Sequence, residues 1–346
     1  MEQVESLDRI EADAAAAERA GDWHAAATLY DQLFRQAVAE QAPEHIPAAL
    51  RSAVRSCRRG GRLEEAEELA DLGLEIARRL GLTQDEAEAL NLLATVLHAR
   101  DDLAGARRLY ARALERARDL GDDPLVAKAC LNLGVVDHTL GNLREARARY
   151  LESVSAGIRS GEPEHAMRAY ANLGMVCTAL EEWLEAQLHL ERGIEIAERL
   201  GDLEQLAILH TNRTEPLIRL HELDKARAEA DTAEALARQV GPPSALADVG
   251  RFRAMIAILE ARLDDADDEL RRALDLAEEH GLDLCRAELL EQLALLRRRQ
   301  GRGDDALDAL ERAFDTFFTL GARRDVSRVG ARLEEWREET RHRVRI

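Results

Sequence analysis

The chain has 346 residues, 33% of them charged and only 3% aromatic, and it is rich in Ala, Leu, Arg and Glu, a balance that favours long helices over sheets. A net charge of −19 excludes nonspecific binding to nucleic acid or to an anionic membrane, since both require a basic surface. The few aromatic rings also leave little platform for stacking bases.

At the N-terminus, MEQVESLDRIEADAAAAERA has no basic region followed by an apolar core, so no signal peptide is expected. No run approaches the ~18 apolar residues of a membrane-spanning helix. Cys57, Cys130, Cys177 and Cys285 lie far apart, with no Cys-x-x-Cys pair, and read as reduced, buried thiols of a cytoplasmic protein.

An internal period organises the rest. Ala26, Ala66, Ala106, Ala146, Ala186, Ala226, Ala266 and Ala306 stand forty residues apart without an insertion. Gly81, Gly121, Gly161, Gly201, Gly241, Gly281 and Gly321 keep the same spacing, with Gln41 as the break in that column. Trp23, Leu63, Leu103, Leu143, Trp183, Leu223 and Leu263 form a third column, which ends at Gly303. The Gly column reads as helix stops in the left-handed conformation. The Ala column reads as close approaches of two helix backbones. Asp123 before Pro124, and Ser244 after Pro242-Pro243, are expected as N-caps.

In chain order the pattern predicts helix pairs at 4–40, 44–80, 84–120, 124–160, 164–200, 204–240, 244–280 and 284–320. In each pair the first helix is helix A and the second, with the Ala, is helix B. A last helix at 324–340 is expected to cap the array with an outer side bearing Arg337, Glu338 and Glu339, followed by a basic tail, 341–346. The sixth helix A departs from pattern. Arg213 and Thr214 replace Leu and Gly, and Pro216 sits inside the helix, so a kink near 212–216 that frees the Asn212 carbonyl is expected.

Leu133-Gly134, Gly141, Leu143, Ala146 and Tyr150, and again Leu173-Gly174, Trp183 and Ala186, resemble the tetratricopeptide signature. The forty-residue spacing resembles Leu-Gly-Asn (Pins-type) repeats of cell-polarity adaptors and bacterial regulators of the Rap and MalT kind. The resemblance covers nearly the whole chain. It implies an all-α, right-handed superhelical solenoid of eight repeats plus a cap, with helix A lining a concave groove.

On the helical wheel Tyr170, Leu173, Gly174 and Cys177 share one face, and Arg168, Asn172 and Met175 the opposite one. That second face, carried through the repeats, contains Arg51, Arg55, Arg58, Arg59, Lys128, Arg168, Arg219, Arg251, Arg298 and Arg299 against Glu88, Glu215, Asp248 and Glu291. Ten cations against four anions make a basic lining in an acidic chain. Asn91, Asn132, Asn172 and Asn212 recur on it, able to pair with a peptide backbone or to tie neighbouring repeats. Phe252, Met255, Ile258 and Leu259 suggest an apolar anchor site. The candidate groove is therefore Arg55, Asn91, Lys128, Asn132, Arg168, Asn172, Met175, Asn212, Arg219, Arg251, Phe252 and Met255.

No Gly-rich phosphate loop, Gly-x-Ser-x-Gly elbow or His-Glu-x-x-His motif is present. His98 and His138 occupy equivalent positions without a third ligand, so no metal, cofactor or catalytic residue is expected. The sequence reads as a non-catalytic scaffold for an acidic or carboxylate-bearing protein segment with an apolar anchor. A sensor module of a bacterial signalling system and a homo-oligomeric assembly unit are the alternatives.

Overall fold

The structure, a computed structural model, describes residues 6–344. Of the basic tail 341–346, the backbone up to residue 344 continues the last helix, while its side chains and residues 345–346 lie outside the described residues, as do residues 4–5 of the first repeat. Seventeen α-helices and short turns make up the described residues.

Contacts divide the chain into two compact units, Met1–Ala166 and Met167–Ile346. The first holds α1 (Leu7–Arg19), α2 (Trp23–Ala39), α3 (Ile46–Arg59), α4 (Leu63–Leu80), α5 (Thr83–Ala99), α6 (Leu103–Leu120), α7 (Asp123–Thr139) and α8 (Leu143–Ser160). Helix α9 (Pro163–Ala179) begins there and gives most of its length to the second unit. That unit continues with α10 (Trp183–Leu200), α11 (Leu203–Arg219), α12 (Leu223–Val240), α13 (Pro243–Leu259), α14 (Leu263–Glu279), α15 (Asp283–Arg299), α16 (Gly303–Thr319) and α17 (Arg323–Val344).

All eight Ala-column residues are buried, so helix B meets its partner where only a methyl group fits. Gly134 lies against the ring of Tyr150 and Gly174 against Leu190, and a Cβ at either would clash. In the first unit Leu90, Leu93, Tyr110, Leu114 and Leu133 build the core. In the second, Leu270, Leu289 and Leu296 form one cluster, and Leu290, Leu310, Phe317, Val329, Leu333 and Trp336 another. The last set seats α17 on α16. Its exposed side keeps Arg337 on Glu311 at 2.7 Å and Glu339 on Arg298 at 2.5 Å. The Arg324 guanidinium also donates to the Ala179 carbonyl, linking α17 to the end of α9.

The helix stops follow the Gly column with one instructive exception. Gly81, Gly121, Gly161, Gly201, Gly281 and Gly321 have φ between +62° and +75°, and Gln41, which breaks the column, adopts +57°. Gly241 instead has φ −83° and ψ 163°, because a residue before proline is pushed toward extended backbone. A second left-handed column lies in the turn within each repeat: Gly21, Gly61, Asp101, Gly141, Glu181, His221, Ala261 and Gly301. Two caps also differ from expectation. Asp122, not Asp123, accepts from the Leu125 amide at 3.0 Å, which leaves Asp123 free to pair with Arg159. Pro242 is the N-cap of α13, so Ser244 lies inside the helix.

Candidate functional site

In the first unit the inner side chains of α3, α5 and α7 converge. Arg51 is neutralised by Asp85 and by Glu88 at 3.0 Å. Arg55 is exposed and donates to Ser52 Oγ at 2.8 Å, with no carboxylate in ion-pair range among the described residues. Lys128 has no ion pair among them either. It keeps an open surface to solvent while protein closes round it, as in a concavity. Burial pushes its ammonium pKa down; Glu88 opposes this, and Arg55 and Arg51 add to it. Farther along α3, Arg58 sits beside His98 with its Nε buried and unpaired, and burial and Arg59 lower its pKa. Burial likewise lowers the pKa of His98. Arg59 stacks on Trp23, its guanidinium carbon 4.7 Å from the ring centroid.

Asn91 is only 1% exposed, and its Oδ1 accepts from Asn132 Nδ2 at 3.2 Å. In this unit the asparagines therefore tie successive repeats together.

In the second unit, Arg168, Asn172 and Met175 share one face of α9 at helical spacing. Arg168 is exposed and makes no ion pair among the described residues, and Met175 is 43% exposed. Asn212 is half-buried and its Nδ2 has no partner. Helix α11 runs continuously through Pro216 to Arg219, and proline has no N–H to offer the Asn212 carbonyl. Arg213 is explained by packing. It pairs with Glu229 at 3.2 Å, and Glu229 also meets His210 Nδ1 at 2.6 Å.

The four remaining candidates need correction. Phe252 and Met255 are 3% and 7% exposed, packed with Leu217, Ile218 and Ile256, so they belong to the core and offer no apolar anchor. Arg251 is not an open cation. It holds Asp248 at 3.0 Å, Glu288 at 3.3 Å and Glu215 at 3.9 Å, and lies over the Phe252 ring at 4.3 Å. Burial lowers its pKa, but the three carboxylates more than offset this, and the net shift is upward. Arg219 is likewise paired, with Glu215 at 3.0 Å, and its guanidinium lies 5.8 Å from the Trp183 ring. The α11–α13–α15 face is thus locally acidic.

The tetratricopeptide repeat family model matches residues 85–157 and 131–199. The solved structures that resemble the chain are helical-repeat proteins. A Rap protein complexed with the competence and sporulation factor aligns at 14% identity over 96% of this chain and 98% of that one, with a TM-score of 0.57. A tetratricopeptide repeat protein from Parabacteroides merdae aligns at 16% identity over 82% and 98%, with a TM-score of 0.52. Over residues 85–199 the chain matches tetratricopeptide repeats, and its fold is that of helical-repeat proteins. BtubC (BKLC) from P. vanneervenii is also similar, at 20% identity over 63% of this chain and 92% of that chain, with a TM-score of 0.54. No curated protein matches the sequence. Among the described residues of this repeat protein, no helix is long and apolar enough to cross a membrane.

Proposed function

We propose that this protein is a non-catalytic scaffold that holds an extended acidic segment of a partner protein against the inner helix-A face of its first unit. One observation carries the reading: Arg55 and Lys128 stand near each other without a carboxylate partner, in a chain of net charge −19. Arg51, beside them, is neutralised by two carboxylates. Two cations whose repulsion and desolvation are offset only in part by Glu88 favour an anionic occupant. Half-buried asparagines would then pair with the segment's backbone. The complex of the similar Rap protein with its factor supports a ligand-holding use of this fold. The acidic α11–α13–α15 face has no place in the binding of an acidic segment.

The test is fluorescence anisotropy of a labelled Asp/Glu-rich peptide with the full chain. The wild type should bind, and affinity should fall steeply as salt rises. The double substitution Arg55→Glu, Lys128→Glu should weaken binding by about ten-fold or more, ~1.4 kcal/mol. Equal binding by both proteins, or no binding by the wild type, overturns the reading.

A further inference from the structure

Beyond the inner face, the second unit brings three metal-ligating side chains of different chemistry together. Cys177 is on α9, and Glu185 and His189 are on α10. The Cys177 Sγ, a Glu185 carboxylate oxygen and an imidazole nitrogen of His189 all lie within 4.8 Å of one another. We propose that Cys177, Glu185 and His189 form a zinc-binding site that clips α9 to α10.

The local sequence explains the convergence. Glu185 and His189 are i and i+4, so they rise from one face of α10. Cys177 stands at the end of the facing helix, on the side that packs against α10, and the turn at 180–182 brings the two helices back together. The three residues differ in exposure: Cys177 is buried, His189 half-buried and Glu185 exposed. The thiol and imidazole are thus held by packing, while the carboxylate stands at the surface. The Tyr170 ring stacks on His189 with centroids 6.0 Å apart and an interplanar angle of 29°, which fixes the imidazole plane.

The donor set selects the ion. A thiolate with an imidazole suits zinc or a related borderline-soft cation, whereas calcium and magnesium call for oxygen ligands. Bond lengths of about 2.0–2.3 Å on a tetrahedral ion place ligand atoms roughly 3.3–3.6 Å apart. A closure of roughly 1 Å therefore suffices for the widest pair. Three protein ligands leave a fourth position for water or for a donor from a partner.

Full-length protein, stripped with chelator and kept reduced, is titrated with Zn²⁺ by calorimetry and, separately, with Co²⁺ by absorption spectroscopy. We expect a site of near-unit stoichiometry, a rise in melting temperature with Zn²⁺, and an intense thiolate-to-cobalt charge-transfer band. Cys177→Ala should abolish that band, and His189→Gln should weaken zinc binding by ten-fold or more. Circular dichroism of each variant checks that the helices persist. Cys130→Ala, which alters another buried thiol, should leave binding and the band unchanged. No stoichiometric binding by the wild type, a band that survives Cys177→Ala, or one that is lost with Cys130→Ala overturns the proposal. If a variant does not fold, chelator-reversible stabilisation of the wild type decides by its presence or absence.

Discussion

The inner faces of α3–α5–α7 and of α11–α13–α15 are built from the same repeat positions and reach opposite electrostatic states. In the first, Arg55 and Lys128 lack carboxylates. In the second, Arg251 serves Asp248 and Glu288 and shares Glu215 with Arg219, so three carboxylates meet two cations. The backbone geometry common to the repeats does not decide what such a surface attracts; the partners that each side chain finds one repeat away do.

The sharpest way to break the comparison is to remove the central cation of each face. Arg251→Met would strip Asp248 and Glu288 of their ion-pair partner, with Glu215 still held by Arg219, and a loss of about 3 kcal/mol is expected from urea unfolding. Lys128→Met strands no partner and should leave stability unchanged or slightly raised. Equal losses would mean that the two faces do not differ in the way described.

The asparagines extend the contrast at smaller scale. Asn132→Ala removes the bond to Asn91 and should cost about 1 kcal/mol in the same measurement. Asn212→Ala removes an amide whose Nδ2 already lacks a partner, and should cost close to nothing.

A further expected effect is on pH dependence. Burial raises the Glu288 pKa from its ordinary 4.5 to about 7, with Asp248 and Glu215 adding to the rise and Arg251 opposing it. A carboxyl group held above its unfolded value stabilises the fold only while protonated. Its contribution is complete below pH 4.5, shrinks as the unfolded chain ionises, and is gone above about pH 7. Thermal melts of Glu288→Gln against wild type should show the variant gaining relative stability by a few degrees at most as pH rises across that window. A constant difference across the window would count against the shift.

Much of the fold was legible because the relevant residues report backbone geometry. A Gly that must turn left-handed and an Ala that must admit a helix cannot drift far in type. The second turn column was harder to see because Asp101, Glu181, His221 and Ala261 occupy it with φ near +60°, each paying roughly 1–2 kcal/mol in conformational strain. The Pro242 effect on Gly241 required reading two residues together.

The candidate site was legible only in part. A helical wheel separates two faces of an isolated helix. Helix A is also flanked by its neighbours in the array, so Phe252 and Met255, at the margin of the inner face, are covered. The cations were misjudged for a related reason. Their partners come from the next repeat, at offsets of 34 and 37 residues in Arg51–Asp85 and Arg251–Glu288. Scanning those offsets would have separated Arg51 and Arg251 from Arg55, where positions 89 and 92 are Ala and Leu.

The same short offsets bear on how the molecule assembles. Arg298–Glu339 and Arg332–Glu291 each span 41 residues of chain, and Arg51–Asp85 spans 34. A structure held by such near neighbours has low contact order, so it should fold rapidly, nucleate in several places, and fray from weak ends without a single global transition. Arg324 and the Ala179 carbonyl, 145 residues apart, form an exception. That bond can close only after the hairpins between its ends have formed.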